Sequence, residues 1–274
     1  MTPCDLSILT ISHNHFAVIR SCITSLYALP DRSTFETLLI DNTGADLTAA
    51  WMRLHRPEVR VLGNTSRRGF AANVNSGMRA LQSGRYFLLL NPDVICLPGL
   101  LDRLVAFMDA NAEVAIAAPQ LFNADGTAQP NCRRFPTPGV LAFRAFHLDG
   151  IWRNHPVMQR YLMTSGGSTG VNVDWVTGAL AIVRRAAVDQ VGLMDERYFL
   201  YWEDMDWCYR MRQAGWKVSR APDAAAIHDH RREGVRRPFS RAGCEQVLGA
   251  IRFFCKFGWH SAAIPTKCAG SGRA

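Results

Sequence analysis

The first 119 residues swing between two apolar periods, and no other feature limits the fold so tightly. "LSILTIS" (6–12), "ETLLID" (36–41), "VRVLGN" (59–64), "RYFLLLN" (85–91) and "VAIAAP" (114–119) are apolar runs of strand length. Between them, 15–29, 46–54, 69–83 and 98–111 carry apolar residues at helical spacing, as Ile19, Ile23 and Leu26 do in the first. Pro98 suits the opening turn of the last of these helices. The run "RYFLLLN" is apolar without alternation, as a strand covered on both faces must be. Strands alternating with helices specify an α/β domain: a mixed, mostly parallel sheet flanked by helices. Ligands of such sheets bind beyond the carboxyl ends of the strands.

Periodicity fades over 123–172, where Gly, Pro, Asn and Thr are frequent, and irregular loops with a short helix near 139–147 are expected. Order returns with the alternating strand "VDWVTGALAIVRR" (173–185), broken by Gly178. A helix is expected from Glu203 to Ala214, stopped by Gly215. "KVSRAP" and "AAIHDH" read as two further short strands, and 240–257 as a terminal helix before a Gly/Ser-rich tail expected to be mobile. No internal repeat or second domain is evident.

Three strand ends carry polar residues that bear on chemistry. The first runs into Ser12, His13 and Asn14, the second ends at Asp41-Asn42, and the fourth at Asn91-Pro92-Asp93. A single Asp after a strand is ordinarily a turn residue, but three polar ends on one sheet edge mark a site. The segment "GFAANVN" has neither GxxxxGK[ST] nor GxGxxG, which argues against Walker-type and dinucleotide-binding loops. The eight cysteines form no CxxC pair and no zinc spacing, so they read as free thiols in a reducing compartment. No apolar run reaches transmembrane length, and the start has no basic region of a signal peptide. The net charge of +8, much of it in arginine pairs such as Arg133-Arg134 and Arg231-Arg232, points to an anionic partner. No nucleic-acid motif accompanies it, and none is expected to bind.

Taken in order, these segments resemble family 2 glycosyltransferases of the type-A fold, and within them rhamnosyltransferase-like bacterial members that build cell-surface polysaccharide. The resemblance runs through "LSILTISHN", "ETLLIDNTGAD", "NTSRRGFAANVNSGM", "LLLNPDV", "WVTGALAIVRRAAVDQVGLMDERYFLYWEDMDWCYRMRQAGW" and "PDAAAIHDH", over about residues 5–230. It implies a transferase domain over 1–235, with a nucleotide-binding half (1–120) and an acceptor half (121–235), followed by a terminal helix and tail (236–274). It implies a nucleotide-sugar donor, dTDP- or UDP-linked with dTDP-rhamnose favoured, and a saccharide or lipid-linked acceptor. Magnesium or manganese would offset charge on the leaving diphosphate.

The same resemblance assigns residues. Thr10, Ser12, Asn14, Asp41, Asn73 and Asn91 fall at nucleotide-binding positions. Asp93 is the metal ligand, with Asn91 standing where the family's Asp-x-Asp motif has its first acid. His228 joins Asp93 at the metal, and His230 and Arg231 reach the phosphates. Asp204 is the general base of an inverting reaction, with Glu203 beside it on the acceptor, and the helix dipole favours their ionised forms. Tyr201 and Trp202 line the sugar site, although rings in such a stretch ordinarily pack a core. Asp206 points elsewhere and is expected to pair with Arg210 at i+4.

A cytoplasmic enzyme touching the inner membrane is expected. "CEQVLGAIRFFCKFGW" (244–259) supplies an amphipathic face for that contact, unless it packs as an ordinary last helix. Two rival readings are a sugar-phosphate nucleotidyltransferase, whose glycine-rich loop "LTISHNHF" lacks, and a non-catalytic nucleotide- or glycan-binding protein.

Overall fold

Strand β1 (Cys4–Ser12) takes alternate side chains into two different cores. Leu9 faces one layer of helices, and Leu6 and Ile8 face the other. The fourth strand, β4 (Gly84–Leu90), does the same: Phe87 and Leu89 lie on one side, Tyr86, Leu88 and Leu90 on the other. This two-sided burial is the reason its sequence shows no polar alternation. The structure, a computed structural model, describes residues 3–44, 46–145, 155–163, 172–229 and 240–258.

The remaining elements of the first half are α1 (Phe16–Tyr27), β2 (Phe35–Asp41), α2 (Thr48–His55), β3 (Arg60–Gly63) and α3 (Phe70–Ala80). After β4 come β5 (Val94–Cys96), α4 (Leu100–Ala110) and β6 (Val114–Phe122). The second half holds β7 (Ala128–Gln129), β8 (Cys132–Arg133), α5 (Pro138–Ala145), α6 (Pro156–Leu162), β9 (Asn172–Val173), β10 (Trp175–Val176) and β11 (Leu180–Arg184). It closes with α7 (Arg185–Val191), α8 (Glu203–Gln213), β12 (Lys217–His228) and α9 (Arg241–Phe257).

The main sheet runs β3-β2-β1-β4-β11-β6-β12-β5. Strands β3, β2, β1 and β4 pair in parallel, as do β6 and β12, while β11 and β5 run against their neighbours. Helices α1 and α4 cover one face through Cys22, Leu26, Leu100, Leu101 and Leu104. The other face is covered by α3, α7, α8 and α9, with Val74, Met78, Val188, Trp207 and Phe253 among the packed residues. The expected α/β architecture is therefore present.

Several expected boundaries change. The segment 173–185 is three strands, because the Asp174 carboxylate turns in to accept the Phe135 N–H at 2.9 Å and to pair with Arg134 and Arg212. Strand β10 then leaves the main sheet to pair with β8. The two strands expected at 217–222 and 225–230 are one, β12, with a register break against β6 between Ala221 and Ala225. Pro222 falls inside that break, where a missing N–H costs no ladder bond. Helix α4 begins after Gly99, whose φ of +82° ends the preceding turn, and Asp31 accepts the N–H groups of Gly99 and Leu101 at 2.7 Å each. Helix α6 arises in a stretch expected to be loop, opened by Pro156 and by His155, whose Nδ1 accepts the Val157 N–H. The tail after 258 lies outside the described residues.

Candidate active site

The ends of β1 and β2 lie side by side, with Ser12 in register with Asp41. Thr10, Ser12 and Asp41 project from the same face of that pair, since Thr10 and Ser12 are two apart and Ser12 is opposite Asp41. All three are buried. Asp41 Oδ1 accepts the Gly44 N–H at 3.0 Å, but Asp41 Oδ2 and the hydroxyls of Thr10 and Ser12 meet no hydrogen-bonding partner among the described residues. Buried polar atoms left unpaired cost about 1–3 kcal/mol each. Three at the adjoining ends of β1 and β2 are what a polar ligand such as a nucleobase or ribose would satisfy. Asn14 follows in the left-handed region at φ 59° and is exposed, a conformation that an asparagine tolerates.

Beyond β4, the chain turns through Asn91 and Asp93 into β5, which pairs with the end of β12. That pairing brings His228 to Asp93: Nε2 lies 3.2 Å from Oδ1, and the Asp229 N–H donates to the Asp93 carbonyl at 3.0 Å. On its other side, His228 Nδ1 is 2.7 Å from Gln129 Oε1 of β7. A ring that donates from Nδ1 to Gln129 offers its Nε2 lone pair beside the carboxylate. An oxygen and an imidazole nitrogen side by side fit a magnesium or manganese ion, which takes its remaining ligands from substrate phosphates and water. Among the described residues no group of three or more His, Cys, Asp or Glu is arranged to hold a metal alone, so the donor would complete the set.

The acid pair sits at the N-terminus of α8 on an unusual turn. Tyr201 and Trp202 both have positive φ, 69° and 71°, where residues other than glycine are strained. Asp204 Oδ2 accepts the Gly178 N–H at 3.2 Å and Oδ1 the Met205 N–H at 2.8 Å. Gly178 adjoins Ala179, whose carbonyl accepts the Asn91 N–H at 2.8 Å. Two residues, 178 and 179, thus tie the acid pair to the end of β4. Glu203 is 5% exposed and its Oε2 has no hydrogen-bonding partner among the described residues. Burial, and then the neighbouring Asp204 charge, push its carboxyl well above the usual range. Burial also raises Asp204, opposed by the Met205 and Gly178 N–H groups and by the positive charge of Arg133. The helix dipole was expected to keep both acids readily ionised; burial outweighs it here. Of the two, Asp204 has the N–H donors and is partly exposed, whereas Glu203 has the carboxyl pushed well above the usual range.

Residues 7–192 match the family described as glycosyl transferase family 2. The chain belongs to that family. It is 28% identical over 247 residues to the N-acetylglucosaminyl-diphospho-decaprenol L-rhamnosyltransferase of Mycobacterium tuberculosis, covering 86% of this chain and 79% of that one. It is 25% identical over 258 residues to rhamnosyltransferase WbbL of Escherichia coli, covering 91% and 92%. Among solved structures it is similar to GalNAc-T7 with UDP, GalNAc and Mn2+ (TM-score 0.65, 16% identity, 90% of this chain and 48% of that one). A second is the mannosyltransferase PcManGT from Pyrobaculum calidifontis in complex with GDP-Man and Mn2+ (TM-score 0.63, 16% identity, 93% and 64%). The fold is the type-A glycosyltransferase fold.

Within this glycosyltransferase, two residues expected at the site are placed elsewhere. Trp202 is buried under α9, its ring centroid 5.5 Å from that of Phe253 and 6.0 Å from that of Phe254, and its Nε1–H donates to Gln246 at 3.3 Å. Apolar burial, rather than sugar contact, holds that ring. Asn73 is fully buried and bonded within the protein: its amide donates to the Gly69 and Arg68 carbonyls and accepts from Asn64. Asn64 also donates to Asn42, which exchanges two bonds with the Arg68 backbone. These three asparagines shape the loop before α3, so Asn73 acts on a ligand only through that loop. Tyr201 stays half-buried beside Glu203. Asp206 pairs with Arg210 at 2.7 Å as expected and also accepts from Lys256 at 2.6 Å. His230 and Arg231 lie outside the described residues. Three contributors carried no functional signal in the sequence: Gln129 behind His228, Gly178 under Asp204, and Gly69, where a Cβ would lie 2.8 Å from the Phe199 carbonyl oxygen.

Proposed function

We propose that this glycosyltransferase moves a sugar, rhamnose in the reading its relatives favour, from a nucleotide-sugar to a hydroxyl of a saccharide or lipid-linked acceptor, with inversion at the anomeric carbon. The rhamnosyltransferases it resembles, one named for a diphospho-decaprenol, support the sugar, the acceptor class and a place in polysaccharide biosynthesis. The observation that carries the reading is the 178–179 link, which joins the acid pair to the end of β4, the sheet neighbour of β1 with its buried Thr10 and Ser12 hydroxyls.

In this reading the nucleoside occupies the edge of β1 and β2. Asp204 accepts the proton of the acceptor hydroxyl as its oxygen attacks the anomeric carbon. The bond from that carbon to the phosphate oxygen breaks with its electron pair on the phosphate, and a nucleoside diphosphate departs. A bound divalent cation supplies charge neutralisation for that diphosphate, and Asp93 and His228 are the residues that would hold it. Base assistance of this kind is worth about 10²–10⁴ in rate. The elevated pKa of the pair makes Asp204 a stronger base than an exposed aspartate. Glu203, buried and with its carboxyl pushed above the usual range, sits at the turn on the acceptor side.

The test is a panel of dTDP-, UDP- and GDP-sugars with Mg2+ or Mn2+, read by released nucleoside diphosphate. Turnover of one donor, dTDP-rhamnose first, is expected; release from none, with or without acceptor glycans, would contradict the reading.

A further inference from the structure

Helix α9 has two apolar faces, and only one of them packs against the described residues. Its inner face packs Gly249, Phe253 and Phe254 against Trp202 and Tyr209, and Lys256 fastens it through Asp195 at 2.8 Å and Asp206 at 2.6 Å. A helix docked on a domain ordinarily shows charged and polar residues on its other side. Here the outer side carries Val247 (61% exposed), Leu248 (44%) and Ile251 (55%), continued by exposed Cys244 and Cys255. The spacing 244, 247, 248, 251, 255 makes one stripe along about three turns.

The charge of the chain singles out the same region. Residues 231–274 contain nine Lys and Arg against two Glu. The other 230 residues contain 22 basic and 21 acidic side chains, so nearly the whole net charge of +8 belongs to the segment that includes α9. Two copies joined through this stripe would bring those charges together, which opposes self-association. An apolar stripe within a strongly basic segment instead matches a surface of acyl chains beneath anionic headgroups.

We propose that the outer face of α9 docks this protein on an anionic phospholipid surface, with Val247, Leu248 and Ile251 entering the headgroup–acyl boundary and the net positive charge of this part of the sequence favouring anionic lipid. No helix among the described residues is long and apolar enough to cross a membrane. The inner face of the same helix covers the left-handed Tyr201-Trp202 turn that carries Glu203 and Asp204. Docking therefore sets the acid pair close to the lipid surface, where a lipid-linked acceptor presents its hydroxyl; this consequence rests on the proposed transferase reading, whereas the docking does not.

The experiment is flotation of the full chain with vesicles of phosphatidylglycerol and phosphatidylcholine, or of phosphatidylcholine alone, at low and high salt, without donor or metal. Wild type is expected to float with the anionic vesicles, less so at high salt, and to stay behind with the neutral ones. Val247→Ser combined with Ile251→Ser leaves the charge unchanged and should weaken binding about tenfold or more. Because both side chains are exposed, thermal melting and nucleoside-diphosphate binding of that variant should match wild type. Absence of binding to anionic vesicles at low salt, or undiminished binding by the double variant, overturns the proposal. So does a dimer in sedimentation that the double variant dissolves. Since no donor enters the assay, a failure here is separable from a failure of the transferase reading.

Discussion

Gly249→Ala is a one-carbon probe of how α9 supports the Tyr201-Trp202 turn that carries the acid pair. A Cβ at that position would lie 2.5 Å from Trp202 Cδ1, 2.9 Å from Cγ and 3.2 Å from Cβ. Carbon pairs rest at about 3.5–4.0 Å, so the overlap with Cδ1 approaches 1 Å. Trp202 has little room to yield, because Phe253 and Phe254 pack on its ring and its backbone is already held at φ 71°. Overpacking of this kind costs about 1–3 kcal/mol, and the better helix propensity of alanine returns about 1 kcal/mol. The net loss is about 1 kcal/mol, or about 2–4 °C in Tm. The functional effect should be larger: a displacement of about 1 Å in Glu203 and Asp204 can lower kcat by about 10²-fold. Thermal melting and transfer assays on the same preparation measure both. Wild-type activity with an unchanged or higher Tm would refute the argument that α9 fixes the turn.

Asp93→Ala should leave the fold intact and abolish the metal-dependent part of nucleoside-diphosphate binding, by about 100-fold in Mn2+; unchanged affinity in calorimetry removes Asp93 from the cation site. Glu203→Gln should stabilise the protein at alkaline pH. The native carboxyl holds its proton above the usual range, so the wild type loses stability as pH rises from the unfolded value towards the native one. Gln does not titrate, and the variant's Tm should exceed wild type by about 2–4 °C at pH 8, the gap closing near pH 4. A gap that widens on acidification would reverse the assigned direction.

What the sequence disclosed depended on how long each pattern ran. Strands β1 to β4 and β6 were legible because each repeats an apolar choice over four residues or more, as Tyr86 to Leu90 do. Strands β7 to β10 have two residues each and β5 three, too few for any period, and they form because neighbouring strands offer partners. The strand ends and the acid pair were visible as polar residues after apolar runs. Their meeting through Gly178 and Ala179 was not, since it depends on how β11 enters beside β4. Trp202 was misread because its burial comes from a helix some 40 residues later, and no local signal reports that contact. Asn73 looked like a ligand group for the opposite reason: its loop partners, Asn64 and Asn42, come together only after β2 and β3 pair.

The central claim is that Asp204 takes the acceptor proton, and Asp204→Asn tests it most directly. The amide keeps the shape and an oxygen to accept a backbone N–H, but it cannot hold the proton. Donor affinity, measured by calorimetry with Mn2+, should match wild type, while single-turnover transfer from the active nucleotide-sugar should fall about 10²–10⁴-fold. Transfer near the wild-type rate with donor affinity preserved would contradict the account.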